Sequence, residues 1–500
     1  MKDQKFLFIT KTKYNNLSHE CMVLIKAFYD TYAWTFTEEI VNADVVINLV
    51  EDHFFVELLH HERIRFSNDD MDKDLRHDLK RILYKELKKA TQKSLPWGLL
   101  QGIRPTKLVF KIYKELKEAD HKDQLNGLIF ANDLIRYSKA IKDRLINKYF
   151  LSAEMADLAM IVAINEEDYI PKTVEEACHS FSVYISIPFC PTRCHYCSFP
   201  SHSMNKWETH MEDYLKALKK EWNSIIPELL KHKKISTVYV GGGTPTSFNS
   251  GELRELLSLI HETLPMDEVK ELTVEAGRPD TITEDKLKVL KEFRVNRISI
   301  NPQTMHQKTL DTIGRKHSVK QLIEAYNLSK SMGFDRVNMD LIIGLPNESL
   351  EDVKETINQV IELNPSEITV HTLAIKRSSI ILENIEDYKL PNDQETKDML
   401  DITRKELIED GYKPYYLYRQ KNMVGSYENV GYYKSVEPCI YNIEIMEEVR
   451  PIIAFGAGGI TKIIMDNGKL NRVENVKNVK DYINRIDTMI ERKRKALFLV

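Results

Sequence analysis

The sequence contains little cysteine and shows no excess of charge of either sign, and both features exclude broad classes of protein. Six cysteines among 500 residues are too few for a disulfide-stabilised secreted scaffold. Lysine and arginine together number 71 and aspartate and glutamate 75, so the formal net charge is only −4. This balance provides no electrostatic footprint for nucleic acid or for an anionic membrane surface. We therefore predict no nucleic-acid partner.

Long apolar runs and linkers are also missing. No run approaches the roughly 20 apolar residues that a membrane-spanning helix needs, so we predict no membrane span. Residues 1–16 hold only four consecutive apolar residues, fewer than the 7–15 or so of a secretory signal, and we expect a cytoplasmic protein. No segment rich in proline, glycine or serine divides the chain, and the length predicts two or three domains.

The first 175 residues predict an N-terminal α+β accessory domain. Short β-like runs occupy residues 1–68, and apolar residues then recur at helical spacing over 71–92 and 107–164. The segment between them is LPWGLLQGIRPTK, which we interpret as a helix–helix connection. The alternative is a contact surface for a ligand or the next domain, formed by Trp97, Arg104 and Lys107.

From Ser182 onwards, predicted strands alternate with predicted helices. The six strands are Val183–Ile187, Thr237–Val240, Leu272–Val274, Arg297–Ile300, Val337–Ile343 and Ile368–Val370. The helices between them are His210–Leu230, Gly251–Thr263, Glu284–Phe293, Val319–Met332 and Leu350–Leu363. Alternation of this kind is typical of a parallel sheet. We predict an α/β fold, a partial (β/α)6 barrel over residues 176–385, followed by a C-terminal substrate-closing domain over 386–500.

Each of the six predicted strands runs into a polar or glycine-rich segment. In chain order these are PFCPTRCHYC, GGGTPT, Glu275, Asn301 with Gln303, GLP after Asp340, and HTLAIKR. Because the chemistry of such barrels gathers at the C-terminal ends of the strands, we expect the six segments to form one site. Further along, Tyr415, Tyr416 and Tyr418 are candidates to face a flat ligand, with plain packing as the alternative.

Three of the six cysteines lie within eight positions, with C-x3-C-x2-C spacing: Cys190, Cys194 and Cys197. Three thiolates on one loop can hold three irons of a [4Fe–4S] cluster and leave the fourth iron open to an exogenous ligand. A zinc site needs a fourth ligand, for which His195, His202 and the Cys178–His179 pair are candidates, and free thiols are a third reading. We expect Cys21 and Cys178 to be structural, whereas Cys439 is either structural or close to the site.

Six segments together resemble the radical S-adenosylmethionine enzymes of the oxygen-independent coproporphyrinogen III oxidase family. They are VYISIPFCPTRCHYC, VYVGGGTPT, VEAGRPDTIT, RISINPQTM, MDLIIGLP and FGAGGITK. GIRPTK and YYLYRQKNM are most similar to the HemZ-type branch. The resemblance implies a radical-SAM barrel, a [4Fe–4S] cluster on the three cysteines, and one or two molecules of S-adenosylmethionine.

The resemblance also implies ten cofactor-binding residues: Tyr184, Gly242, Gly243, Thr244, Glu275, Gln303, Arg315, Asp340, Ala374 and Ile460. Tyr184, Gly242 and Glu275 are expected to contact the cluster-bound S-adenosylmethionine. Residue chemistry alone leaves other readings open. The three glycines can form a plain turn, Glu275 a salt bridge, Asp340 and Arg315 an ion pair, and Ile460 a core position.

The reaction implied by the resemblance is the oxidative decarboxylation of two propionate side chains of coproporphyrinogen III, giving protoporphyrinogen IX through a 5′-deoxyadenosyl radical. Such an oxidoreductase of heme and porphyrin biosynthesis needs an electron donor, either a reductase or a flavodoxin- or ferredoxin-like protein. Propionates are anionic and need basic partners. The candidates are Arg193, Lys376, Arg377 and Arg419.

One position departs from the family pattern. The best-understood oxidases of the family carry a further cysteine two residues after the cluster motif, where this chain has Phe199. The Cys-x-Phe version resembles the heme-carrying paralogues, so a heme-binding chaperone with His371 or His317 as axial ligand is an alternative function. Another radical reaction on a tetrapyrrole and a zinc-stabilised interaction protein are further alternatives.

Overall fold

The structure is a computed structural model, and it describes most of the chain. The described residues are 5–9, 15–29, 34–36, 45–50, 53–58, 64–67, 75–100, 104–120, 133–197, 202–203, 207–376, 379–420, 423, 425, 427–465 and 469–498. Two compact units are present, one over residues 1–125 and 134–160 and the other over 126–133 and 161–500. The predicted division at residues 175/176 and 385/386 stays a prediction.

The first unit contains a mixed five-stranded sheet with the order β2-β1-β3-β4-β5. Its strands are β1 Lys5–Ile9, β2 Trp34–Phe36, β3 Val45–Val50, β4 His53–Leu58 and β5 Ile64–Ser67. Helices span Asn15–Phe28, Leu75–Thr91, Thr106–Asp120 and Asp133–Asn147. Cys21 is buried among the leucines that the first two of these helices contribute to a common core. Trp97 is also fully buried.

The second unit is built on an eleven-stranded sheet with the order β14-β15-β13-β12-β11-β10-β9-β6-β16-β17-β18. Its central six strands pair in parallel and are β6 Ser180–Ile187, β9 Lys234–Gly242, β10 Glu271–Glu275, β11 Arg297–Ser299, β12 Arg336–Ile343 and β13 Glu367–Thr372. All six were predicted, and most of their residues are buried, as expected of a parallel sheet. The described sheet ends at β14 and β18 without closing, so the barrel is partial, as predicted.

Helices connect these strands and cover the sheet. After β6 they span Met211–Leu229, Ser250–Thr263, Glu284–Glu292, Gln307–Thr312, Val319–Ser331, Leu350–Leu363, Ile380–Glu383, Asp393–Glu409, Ile440–Glu447, Val479–Asn484 and Ile486–Phe498. The helices Ala153–Glu166 and Val174–His179 precede the sheet. Four of them begin with a capping box, at Asn249, Ser318, Ser349 and Asn392. Because a capping box satisfies backbone N–H groups that have no partner within the helix, the local sequence determines where these helices begin.

The C-terminal region contributes the five remaining strands of the large sheet, none of which the sequence analysis assigned individually. They are β14 Lys413–Tyr418, β15 Asn429–Tyr433, β16 Ile452–Phe455, β17 Ile460–Ile464 and β18 Leu470–Glu474. Strand β15 adds antiparallel to β13, and β16 adds parallel to β6, so the region extends the sheet at both of its sides. The two remaining short strands, β7 Phe189–Cys190 and β8 His202–Ser203, pair with each other.

A buried ion pair ties the end of the chain to this sheet. Lys493 and Glu221 are both fully buried, and Lys493 Nζ lies 2.5 Å from Glu221 Oε1. The Glu221 carboxylate also accepts hydrogen bonds from Tyr482 Oη at 2.6 Å and from the Gly456 N–H at 3.0 Å. One carboxylate therefore links the helix Met211–Leu229 to the FGAGG segment and to the last two helices. In the described residues, no helix is long and apolar enough to cross a membrane.

We predict that Lys493→Met lowers the free energy of unfolding by about 3–5 kcal/mol, because it leaves a buried carboxylate without its counter-charge. Chemical denaturation followed by circular dichroism measures the change. Lys220→Met is the matched control, since Lys220 pairs with Asp487 between the same two helices but at the exposed surface. An exposed pair of this kind contributes about 0–1 kcal/mol. Equal losses in the two variants would contradict the prediction.

Candidate active site

The carboxyl ends of the central strands surround a cavity of about 400 Å³. Its lining includes all three cysteines of the C-x3-C-x2-C loop and nine of the ten residues predicted to bind cofactor: Tyr184, Gly242, Gly243, Thr244, Glu275, Gln303, Arg315, Asp340 and Ala374. The tenth, Ile460, is 39% exposed and lies outside this lining. It pairs with Glu474 in the β17–β18 hairpin, one strand further out than β16. This geometry does not support a cofactor contact for Ile460.

The cysteine loop follows directly from β6 and is held by backbone hydrogen bonds. The Cys197 N–H donates to the Cys194 carbonyl at 3.1 Å, and the His195 N–H donates to the Ile313 carbonyl at 2.9 Å. The His195 ring is hydrogen-bonded to Tyr388 Oη through Nδ1 at 2.9 Å and lies outside the cavity lining. His195 is therefore not positioned as a fourth ligand beside the three thiols. Phe199 lies outside the described residues.

Glycines allow the strand β9 to approach this loop closely. A Cβ atom on Gly243 would lie 2.5 Å from the Phe189 carbonyl oxygen and 3.0 Å from Cys190 Sγ, so only glycine fits there. Gly242 has a φ of +114°, a conformation that other residues rarely adopt. The N–H groups of Gly243 and Thr244 donate to the Ile187 and Phe189 carbonyls, both at 2.8 Å. The glycine segment is thus packed against the cysteine loop and is more than a plain turn.

Two guanidinium groups approach one thiol of the loop. Arg278 Nη1 lies 3.6 Å from Cys194 Sγ, and Arg315 Nη1 lies 3.9 Å from the same sulfur. Burial raises the pKa of the Cys190 thiol to about 12, reinforced by Cys197 and Cys194 and opposed by Arg278. Binding of a cationic metal group would displace the thiol protons, because thiolates are the ligands. Sequence analysis missed Arg278, although its position three residues after Glu275 is the available signal.

Glu275 is the last residue of β10, and tyrosine rings lie around its side chain. Tyr239 Oη donates to Glu275 Oε1 at 2.5 Å, and the ring of Tyr239 stacks on Tyr441 with centroids 4.4 Å apart. Burial raises the pKa of Glu275 to about 7, against hydrogen bonds from Tyr239 and the Gly242 N–H. The partners of Glu275 in the described residues are therefore neutral hydrogen-bond donors, not the cation of a salt bridge.

Asp340 and Arg315 lie in the same cavity but are bonded to different partners. The Asp340 carboxylate accepts hydrogen bonds from the side-chain amides of Asn301 and Asn338, both at 2.7 Å. Burial alone would raise its pKa, but interactions with His371 and Asn338 outweigh burial and the pKa lies below its usual range. Arg315 Nη2 donates to the carbonyls of Gly277 and Asn301, both at 2.6 Å. The ion pair considered from sequence is not among the described contacts.

Gln303 shows two signs of a ligand-binding position. Its φ is +68°, a left-handed conformation that costs free energy in a residue other than glycine. Its side-chain Oε1 atom is buried without a hydrogen-bond partner among the described residues. Buried acceptors are normally paired, so an unpaired one at a cavity wall is suited to a donor group of a bound molecule.

The outer wall of the cavity contains aromatic and basic side chains. Tyr416 and Tyr418 lie on one face of β14 with ring centroids 6.3 Å apart and ring planes nearly parallel, and both line the cavity. Tyr415 alternates to the opposite face and packs with Cys439 and Tyr441. The predicted site contact of Tyr415 is thus not formed.

The other sequence candidates divide between the cavity and its surroundings. Lys376 and His371 line the cavity, whereas Arg193 is exposed and Arg419 is buried, and both of these lie outside the lining. Arg377 lies outside the described residues. His317 is fully buried, and burial together with Arg315 lowers its pKa to about 3. A side chain without exposed surface is not placed to reach a heme.

Cys439 and Cys178 lie away from the cavity lining. Cys439 Sγ donates to Glu271 Oε1 at 3.2 Å, at the amino end of β10 and thus at the opposite edge of the sheet. The same carboxylate pairs with Arg297, which also reaches Glu367. These contacts lie away from the cavity lining, so Cys439 has a structural environment.

The residues present fit an iron–sulfur cluster with S-adenosylmethionine. Three thiols from one loop share a cavity with backbone glycines, with two carboxylates, and with the unpaired Gln303 oxygen. The guanidinium groups at Cys194 are suited to the negative charge of a thiolate-bound cluster. Among the described residues no three His, Cys, Asp or Glu side chains converge on a single ion position. The shared cavity, rather than one coordination centre, is what groups the thiols.

Comparison with known proteins supports this assignment. Residues 184–360 match the family model of the Radical SAM superfamily. Over 404 residues the chain is 39% identical to the oxygen-independent coproporphyrinogen-III oxidase-like protein HemZ of Bacillus subtilis, covering 80% of this chain and 77% of the relative. It is 31% identical over 237 residues to the heme chaperone HemW of the same organism, covering 47% of this chain and 62% of the relative.

A solved structure shows the same fold. The structure of coproporphyrinogen III oxidase HemN from Escherichia coli, a radical SAM enzyme, superposes with a TM-score of 0.51 at 23% identity. The match covers 62% of this chain and 70% of that chain. At this level of identity the likeness concerns the fold.

The raised pKa of Glu275 predicts a pH-dependent stability in the protein free of cluster and S-adenosylmethionine. Relative to Glu275→Gln, the wild-type chain should have its full stability below pH 4.5 and should lose about 3 kcal/mol as the pH rises through about 7. The sign follows because the folded state favours the protonated carboxyl. Urea denaturation between pH 4.5 and pH 8 measures the difference, with the exposed Glu255→Gln as control. A difference that does not change with pH would refute the prediction.

Proposed function

The chain belongs to the radical S-adenosylmethionine family of oxygen-independent coproporphyrinogen III oxidase-like proteins, and we propose that it converts coproporphyrinogen III to protoporphyrinogen IX by oxidative decarboxylation. The observation that carries the proposal is one cavity in which the cysteine loop, Glu275 and Asp340 meet the basic and aromatic wall of Lys376 and Tyr416. The proposed cofactor site would thus be continuous with a wall that could contact a flat, anionic substrate. The 39% identity to the HemZ relative supports the same class of substrate.

Cys190, Cys194 and Cys197 would hold three irons of a [4Fe–4S] cluster, with Tyr184, Gly242 and Glu275 beside the S-adenosylmethionine bound to it. When bound, these cofactors supply a one-electron cleavage that yields a 5′-deoxyadenosyl radical, able to take a hydrogen atom from a propionate side chain. The remaining candidate positions would contact the nucleotide, or a second S-adenosylmethionine: Gly243, Thr244, Gln303, Arg315, Asp340 and Ala374. Ile460 has no support from the geometry for such a contact.

The protein's own groups would orient the cofactors and exclude water. The stacked rings of Tyr184, Tyr239 and Tyr441 form a partly buried wall beside Glu275. With a pKa of about 7, the Glu275 carboxyl can accept a hydrogen bond from an ammonium or ribose hydroxyl near neutral pH. Asp340, whose pKa is lowered, stays ionised and can accept from a second donor. The two carboxylates thus provide acceptors at two separate points of the cavity.

Substrate contacts would come from the outer wall. Lys376 would pair with a propionate, since charged partners give the strongest hydrogen bonds. The rings of Tyr416 and Tyr418 would offer apolar faces to the macrocycle. Each vinyl group formed releases one carbon dioxide and one further electron, so the reaction needs an electron acceptor. It also needs a donor to reduce the cluster, for which we propose a reductase or a flavodoxin- or ferredoxin-like protein in the cytoplasm.

We expect anaerobic, reduced and cluster-loaded protein to form vinyl products from coproporphyrinogen III when S-adenosylmethionine and an electron acceptor are present. Lys376→Met should raise KM about ten- to a hundredfold, the loss of a hydrogen bond to a charged group worth 1.5–3 kcal/mol. It should leave substrate-free formation of 5′-deoxyadenosine unchanged. Chromatography of the porphyrins and of 5′-deoxyadenosine measures both, with Lys354→Met, outside the cavity lining, as the control. Cleavage of S-adenosylmethionine without any vinyl product would refute the proposed substrate.

A heme-binding chaperone is the second candidate function. The observations that favour it are the identity to the heme chaperone HemW and the position of His371 in the cavity lining. His371 Nδ1 lies 3.3 Å from Tyr418 Oη, and Nε2 lies 3.7 Å from Asp340 Oδ2, so heme ligation would have to displace one of these partners. Stoichiometric heme binding together with no vinyl product would favour the chaperone. A different modified tetrapyrrole in the same assay would indicate another radical reaction.

The cysteine assignment has its own test. Cys194→Ala should abolish both the iron and sulfide content of the reconstituted protein and the cleavage of S-adenosylmethionine, because it removes one of three cluster ligands. Cys178→Ala should retain both, since Cys178 lies outside the cavity lining. Iron and sulfide analysis with visible absorbance gives the result. Full iron content with radical formation in Cys194→Ala would show that this cysteine is not a ligand.

A further inference from the structure

Arg278 lies against the cysteine loop, and every donor of its guanidinium group has a partner. It is 3% exposed and lies three residues after the end of β10. Nη1 donates to Cys194 Sγ at 3.6 Å and to the Thr192 carbonyl at 3.2 Å, and Nη2 donates to Thr192 Oγ1 at 3.1 Å. Three of the five N–H bonds of an arginine are thus directed at the loop between the first and second cysteines.

Asp280 orients this guanidinium from the opposite side. Arg278 Nε lies 3.0 Å from Asp280 Oδ1, and Nη2 lies 2.8 Å from Oδ2, which is the paired geometry of an arginine with a carboxylate. These two bonds account for the remaining donors of Arg278. The carboxylate therefore fixes the plane of the guanidinium while lying behind it relative to Cys194. A positive group faces the sulfur, and its counter-charge is one layer further away.

Arg315 provides the other guanidinium group near this sulfur, but its hydrogen-bond partners are different. Its Nη2 atom donates to two carbonyl groups of the cavity wall, and its Nη1 atom also donates to Tyr196 Oη at 3.2 Å. Arg315 is among the expected cofactor contacts, whereas Arg278 has only the cysteine loop and Asp280 as described hydrogen-bond partners. Its arrangement is thus specific to the loop.

We infer that Arg278, held by Asp280, is a positioning residue that raises the reduction potential of the cluster on Cys190, Cys194 and Cys197. The inference rests on the proposed cluster. Hydrogen bonds to the sulfurs and local net charge set the potentials of iron–sulfur clusters. The reduced cluster has one more negative charge than the oxidised one, so a nearby cation stabilises the reduced form. A nearby anion has the opposite effect, and Asp280 moderates Arg278 in this way.

The experiment is a redox titration of the anaerobically reconstituted full chain, without S-adenosylmethionine or substrate. Dithionite supplies the single electron that takes the cluster from its 2+ to its 1+ state, and the electron paramagnetic resonance signal reports the reduced fraction. Arg278→Gln should lower the equilibrium constant for reduction of the cluster at least tenfold. For a one-electron couple this corresponds to a decrease of about 59 mV in the midpoint potential. Asp280→Asn should shift it in the opposite direction. Opposite signs from two neighbouring residues are not expected of a structural role.

Arg254→Gln is the matched control, because Arg254 also pairs with a carboxylate, Glu292, but at the exposed surface and outside the cavity lining. Its midpoint potential should equal that of the wild-type protein. Iron and sulfide content are measured in every variant. If Arg278→Gln holds no cluster, the midpoint potentials of two other variants still test the role of Arg278. These variants are Asp280→Asn and Arg278→Lys, which keeps the charge but loses the forked donors.

Unchanged potentials in cluster-loaded Arg278→Gln and Asp280→Asn, or shifts of the same sign, would overturn the inference. The inference would also be overturned if the midpoint potentials of Arg278→Lys and Asp280→Asn both equalled that of the wild-type protein. The potentials are read without coproporphyrinogen III, so the two proposals fail separately. Opposite shifts in a protein that forms no vinyl product overturn only the proposed reaction, and normal turnover with unchanged potentials overturns only the role of Arg278.

Discussion

The site depends on the close approach of two backbone segments, the end of β6 with its cysteine loop and the glycine-rich end of β9. Parallel pairing of β6 with β9 brings Ile187 opposite Gly242, and two backbone hydrogen bonds of 2.8 Å continue the contact beyond the strands. A side chain on Gly243 would occupy the same space as the Phe189 carbonyl and the Cys190 sulfur. Any residue larger than glycine would therefore move the loop that presents the thiols, and with it the Arg278 contact at Cys194.

Buried charges hold the two edges of the sheet in different ways. At the amino ends of the strands, the Arg297 guanidinium lies between the Glu271 and Glu367 carboxylates, away from the cavity lining. At the carboxyl ends, Arg278 and Arg315 line the cavity and keep part of their donors on sulfur and on carbonyl groups. A buried charge away from a cavity has only protein partners, whereas one that lines a cavity can act on the molecule bound there, even where a carboxylate pairs with it as Asp280 does with Arg278. The same residue types are thus structural at one edge and functional at the other.

Much of this arrangement was predictable because it depends on local sequence. Alternating apolar and helical patterns predicted the six central strands, and the barrel rule then predicted that Glu275, Gln303 and Asp340 lie together, since parallel strands end at one edge. The five strands of the C-terminal region were not assigned, because β16 is only four residues long and its pairing with β6 joins positions more than 250 residues apart. Ile460 was expected at the site from the family resemblance, but it pairs in the outer hairpin and lies outside the cavity lining.

The sequence by itself therefore determined the class of fold, the three thiols and the strand-end residues, because each is defined by spacing along the chain. Only the tertiary structure decided which of the candidate side chains face the cavity. It separated Tyr416 and Tyr418 from Tyr415 by strand alternation, removed Cys439 to the opposite edge of the sheet, and brought Arg278 against Cys194, 84 positions away in the chain. The physical reason is that the direction of a side chain and the partner of a charge depend on pairing between distant segments, which no local pattern encodes.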